Sequence, residues 1–72
     1  MSNDGRLISQ VWIGTGEASE RIMGDEAHTL KMVNEYHGDH DEDWIVMYRK
    51  EDNFEVQRHN ARFATSIIWS TP

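Results

Sequence analysis

Hydrophobic positions along the chain form clusters separated by short polar stretches, and their spacing changes from cluster to cluster. Leu7, Ile8, Val11, Trp12 and Ile13 make a β-rich run over residues 7–13 that ends at Gly14-Thr15-Gly16, a strand terminator. Residues 17–23 show no decisive period and fit a loop or a first helical turn. Beyond them Ala27, Leu30, Val33 and His37 recur at spacings of three, three and four, as on one face of a helix. Asp25 stands where an N-cap would accept hydrogen bonds from the first free amides, and Glu26 suits the positive end of the helix dipole. Gly38 supplies a left-handed stop. The pattern predicts a helix over 25–37.

The last third reads differently. After a charged loop at 39–43, residues 44–50 put Trp44, Val46 and Tyr48 on one strand face and Ile45 and Met47 on the other. Both faces are apolar, so this strand is expected to be central or to meet another subunit. Glu51-Asp52-Asn53 makes a turn. Phe54 and Val56 then alternate with Glu55 and Gln57, the pattern of a half-exposed strand, and residues 64–69 form the last strand. The resulting order is β-α-β-β-β. It predicts an α+β domain: a small, mostly antiparallel four-stranded sheet with one helix packed on it. Bent strongly, such a sheet becomes a small barrel with residues 58–62 at its corner.

Length changes the picture next. A chain of 72 residues makes a single domain, 1–72, with residues 1–5 a polar, frayed start. Such a domain buries only about 60% of the surface its unfolded chain exposes. Without cysteine, neither disulfides nor a thiolate zinc site can compensate. Three Trp, two Tyr, two Phe and four Met are hard to hide in so small a monomer, which points to a homo-oligomer. No apolar run approaches the roughly 18 residues of a membrane span, and the start of the chain has no signal-peptide pattern. A soluble, cytoplasmic protein is expected, with no membrane partner.

Charge is uneven. Residues 1–43 hold ten acids and three bases, a net of −7, and residues 44–72 hold three acids and four bases, a net of +1. Non-specific nucleic-acid binding needs a basic field, so this distribution argues against it. The cluster Arg58-His59-Asn60-Arg62 is the place most able to attract an anion. Arg58 and Arg62 offer guanidinium forks, His59 and Asn60 add donors, and Tyr48 can stack on a base. As a ligand site it would suit a small anion such as a nucleotide, although the structural reading of these arginines weighs more. Paired with the acidic half of the chain, the same arginines would serve only structure.

The segment His37-Gly38-Asp39-His40-Asp41 offers His37, His40, Asp39 and Asp41 as weak metal candidates, but consecutive loop residues diverge. An EF-hand starting at Asp39 would need Gly where Trp44 stands. Gly14-Thr15-Gly16 lacks the third glycine of a dinucleotide loop, and there is no Gly-Lys-Ser/Thr. No catalytic motif is present, so no enzyme and no cofactor is expected. Trp12, Trp44, Trp69 and Phe63 are the candidate interface residues, since the strands carry apolar side chains on both faces.

A short, acidic, cysteine-free chain without catalytic apparatus is similar in style to the accessory proteins that phages use to bind and disable host factors. That resemblance implies a non-enzymatic inhibitor or adaptor of a protein partner. Sequestration of a small anion at residues 58–62 is the alternative.

Overall fold

The computed structural model describes residues 5–15 and 17–70. Among them are six β-strands and one short 3-10 turn, and no α-helix. The strands are β1 (Arg6–Thr15), β2 (Ala18–Met23), β3 (His28–Tyr36), β4 (Asp41–Arg49), β5 (Phe54–Asn60) and β6 (Ala64–Trp69), with the 3-10 turn Ala61–Phe63 between the last two. All pairings are antiparallel. Strand order is β2-β1-β3-β4-β5, and β6 returns to pair with β1. The result is a curled sheet, half of a barrel. It replaces the α+β domain with a packed helix that the pattern predicts.

The correction centres on residues 25–37. Ala27, Leu30, Val33 and His37 share a helical spacing, but the same stretch also alternates: Leu30 and Met32 on one side, Thr29, Lys31 and Val33 on the other. Alternation wins because β3 pairs with β4 along its whole length, from His28↔Arg49 to Tyr36↔Asp41. That pairing puts Leu30 beside Met47 and Met32 beside Ile45 in the core. A helix would have left β4, apolar on both faces, without its neighbour. The predicted capping residues act in turns instead. Asp25 Oδ1 accepts from Ala27 N at 2.8 Å, closing the turn before β3. Gly38, at φ +89°, occupies the left-handed position of the β3–β4 hairpin loop.

The indecisive stretch after the first strand is β2, joined to β1 in register from Gln10↔Met23 to Thr15↔Ala18. Gly14 therefore continues a strand where a terminator was expected. A Cβ there would press on the Ala18 carbonyl and stand 2.6 Å from Ser19 Cα, so only glycine fits the close approach. Gly16, and the frayed start expected at residues 1–4, lie outside the described residues.

Strands β4, β5 and β6 stand where the sequence predicts strands, but β4 begins at Asp41, inside the expected 39–43 loop, and Phe54 and Val56 are both exposed on β5. β4 is central between β3 and β5, with Ile45 and Val46 both fully buried. β5 carries one irregularity: Met47 pairs with Gln57 but Tyr48 pairs with Glu55, so Val56 is the extra residue of a bulge. The core is Ile8, Val11, Ile22, Leu30 and Ile45, flanked by Met32, Met47, Ile67 and Trp69.

Candidate functional site

Two outer faces of the curled sheet carry the side chains singled out by sequence. On β3-β4-β5, Ile45 points into the core, so Trp44, Val46 and Tyr48 point out. Val46 lies between its cross-strand neighbours Lys31 and Arg58, whose long side chains shield it completely. The Lys31 ammonium stands 5.6 Å from the Tyr48 ring centre and the Arg58 guanidinium 5.1 Å from that of Trp44. Burial, the largest influence, pushes the Tyr48 phenol above its usual range.

Arg58 is already occupied. Its Nε and Nη2 donate to Glu55 at 2.8 and 2.9 Å, and its Nη1 donates to Glu35 at 3.1 Å. The hydrogen bonds to Glu55, then those to Glu35, raise its pKa far beyond the titration range of proteins, and the same contact holds Glu55 below the usual carboxylate range. His59 reaches Gln57 Oε1 through Nε2 at 3.2 Å. The Asn60 side chain accepts from Arg62 N at 2.9 Å and caps the 3-10 turn. Arg62 is largely exposed and stands 3.7 Å from Glu42. The sequence cluster is thus dispersed: Arg58 roofs Trp44, Asn60 shapes a turn, and Arg62 leans toward acid.

Arg62 and Asn60 do line a shallow cleft of about 450 Å³, together with His40, Asp41, Glu42 and Asp43. Its charge is mainly negative, the wrong sign for an anion. Beside it, His37 Nε2 lies 3.5 Å from Glu35, and His40 Nδ1 lies 2.6 Å from Asp39. The two imidazoles are stacked with centres 5.8 Å apart. Among the described residues, no three His, Asp or Glu side chains are arranged to hold a metal ion. His37, His40, Asp39 and Asp41 act as a solvated hairpin end.

The four interface candidates are spread over the molecule. Trp69 is partly buried against the core, with Arg6 4.1 Å above its ring. Trp44 lies under Arg58, its indole Nε1 buried without a hydrogen-bond partner. Phe63, 42% exposed, sits on the 3-10 turn beside Ile13 and Gly14. Trp12 belongs to the second outer face, on β2-β1-β6.

That second face contains residues the sequence reading did not select. Val11 pairs with both Ile22 and Ile67 and points inward with them. Alternation then turns Gln10, Met23 and Ile68 outward as one row, and Trp12, Arg21 and Ser66 outward as the next. Leu7, also exposed, lies on the other part of β1, paired with Lys31 of β3. Leu7 is 47% exposed, Met23 43% and Ile68 45%. The signal was present in Ile67-Ile68, where a strand must send one isoleucine outward. It went unused because β2 had not been identified as a strand beside β1.

Comparison with known proteins finds no match to any family model, curated protein or solved structure. No helix among the described residues is long and apolar enough to cross a membrane.

Proposed function

We propose that the chain is a non-enzymatic, homo-oligomeric binding protein that acts as an inhibitor or adaptor, docking through the outer face of β2-β1-β6. One observation carries this reading: Met23 and Ile68 sit exposed on a single face, diagonal to Trp12. Large apolar side chains grouped on one exposed face are characteristic of contact sites. The apolar centre has polar neighbours, Gln10, Arg21 and Ser66, an arrangement that suits a protein interface. A cysteine-free chain suits the reducing cytoplasm, where we place it.

Solution mass tests the reading. Sedimentation equilibrium of the intact chain is expected to give a dimer or higher oligomer, and Met23→Lys with Ile68→Lys a folded monomer. Both positions are exposed, so the fold tolerates the change. A wild-type chain that stays monomeric, or a double variant that associates equally well, would remove this face as the contact.

A further inference from the structure

A second site lies on the other side of β1, where the sheet divides. β6 takes one edge of β1, and the Leu7 carbonyl accepts from Ser70 N on that edge. The opposite edge is shared: β3 pairs only with Arg6 and Leu7, and β2 pairs only from Gln10 onward. Between them Ile8 and Ser9 have no strand neighbour on that edge. A cleft of about 310 Å³ opens there, close to the lower size of ligand pockets.

Its lining is mixed in a useful way. Ile8 and Leu30, 4% and 2% exposed, give it an apolar floor. Gly24 forms a wall, where a Cβ would stand 3.1 Å from the His28 carbonyl oxygen, so the backbone can approach closely. Asp25 and His28 also line the cleft, with His28 Nδ1 3.0 Å from Asp25 Oδ1, so the acid is engaged by the imidazole and Lys50 is the cation left facing the space. A carboxylate only accepts, so Nδ1 donates in this contact, and in a neutral imidazole Nε2 is then an acceptor. The Ala27 amide, first, and then His28 hold the Asp25 carboxyl below its usual range. Lys50 completes the rim. Its amide donates to the Ala27 carbonyl at 2.8 Å, tying the β4–β5 turn to the cleft, and no described carboxylate forms an ion pair with its ammonium.

We propose that this cleft binds a small organic carboxylate with a hydroxyl group and a short apolar tail. Lys50 takes the carboxylate, His28 Nε2 accepts from the hydroxyl, and the tail lies over Ile8 and Leu30. The cleft contains none of Trp12, Met23 and Ile68, and either site can fail without the other.

The test is an amide NMR titration of the whole chain with 2-hydroxybutyrate, butyrate and inorganic phosphate in parallel. So few ligand atoms yield millimolar affinity. The expected result is saturable shifts at Ser9, Thr29 and Ser70 with 2-hydroxybutyrate, weaker binding of butyrate, and little response to phosphate. Lys50→Gln is expected to weaken 2-hydroxybutyrate about tenfold, and His28→Ala to erase its advantage over butyrate. The spectrum of each variant reports its own folding. Shifts that do not saturate, that centre on Arg58 and Arg62, or that survive Lys50→Gln unchanged would overturn the assignment, as would phosphate binding equal to that of 2-hydroxybutyrate.

Discussion

At the scale of single residues, the surface charges are more structural than their number suggests. Arg58 bridges Glu55 and Glu35 and roofs Trp44 at once. Replacing it with Ala leaves two carboxylates without their cation and opens the indole to water. With all three charged groups about one-third exposed, solvent screening limits the loss to roughly 1 kcal/mol in urea unfolding. Tryptophan emission should shift red. Arg58→Lys is expected to rescue only part, because an ammonium cannot reproduce the forked contact. The acids give a second test. Asp52 is held low by its hydrogen bonds to Arg49, Glu55 by Arg58 and Asp25 by the Ala27 amide. A carboxyl depressed in the folded state stabilises above its unfolded pKa, about 4, and loses that contribution as pH falls through the folded value. Urea midpoints should therefore hold from pH 7 to about 5 and fall below about 4. Glu55→Gln should flatten that decline. The sequence had Arg58 as a candidate for an anion. Its partner Glu55 was visible three residues away, but Glu35 is brought near only by the β3-β4-β5 pairing, so its occupancy was not legible.

At the scale of elements, the last third of the chain could be read and the middle could not. Residues 44–69 alternate strongly, and β4, with Ile45 and Val46 buried on opposite faces, declares itself central. Residues 28–36 satisfy two periods at once, and the choice between them depends on a neighbour distant in sequence. Local capping chemistry did not break the tie, since Asp25 and Gly38 serve a turn and a hairpin loop as well as they would serve a helix. The glycines separate these cases experimentally. Gly14→Ala drives a Cβ into the facing β2 backbone and is expected to cost roughly 1–3 kcal/mol, with loss of order in the β1–β2 hairpin. Gly38→Ala meets no atom within 4 Å and suffers only from its positive φ, a cost of about 1 kcal/mol. Gly38→Asn should recover most of that, because Asn tolerates the left-handed region. Thermal unfolding of the three variants orders them Gly14→Ala, Gly38→Ala, Gly38→Asn, from least to most stable. A helix ending at residue 37 would place the larger penalty at Gly38 instead.

At the scale of the whole molecule, the curled sheet is open and its core is thin. The radius of gyration is 12.3 Å, against about 11 Å for a compact domain of this length. Among the described residues six hydrophobic side chains are buried, while Leu7, Met23, Tyr36, Phe54, Val56, Phe63 and Ile68 stay exposed. A core of that size rarely supplies more than about 3–5 kcal/mol, and truncating a side chain such as Leu30 costs roughly 2–5 kcal/mol. Leu30→Ala should therefore unfold the isolated chain, even though one substitution in a larger domain would only weaken it. Association changes this balance by mass action, since whatever binds the folded state alone stabilises it. If the β2-β1-β6 face is covered by a second copy, the melting temperature must rise with chain concentration. A tenfold increase is worth about 1.4 kcal/mol for each dimer. Ile68→Lys should abolish that dependence and leave the low-concentration melting temperature nearly unchanged, because Ile68 is half exposed and contributes little to the monomer's core. A melting temperature independent of concentration in the wild-type chain would mean that the monomer is stable alone and that this face does not join two copies.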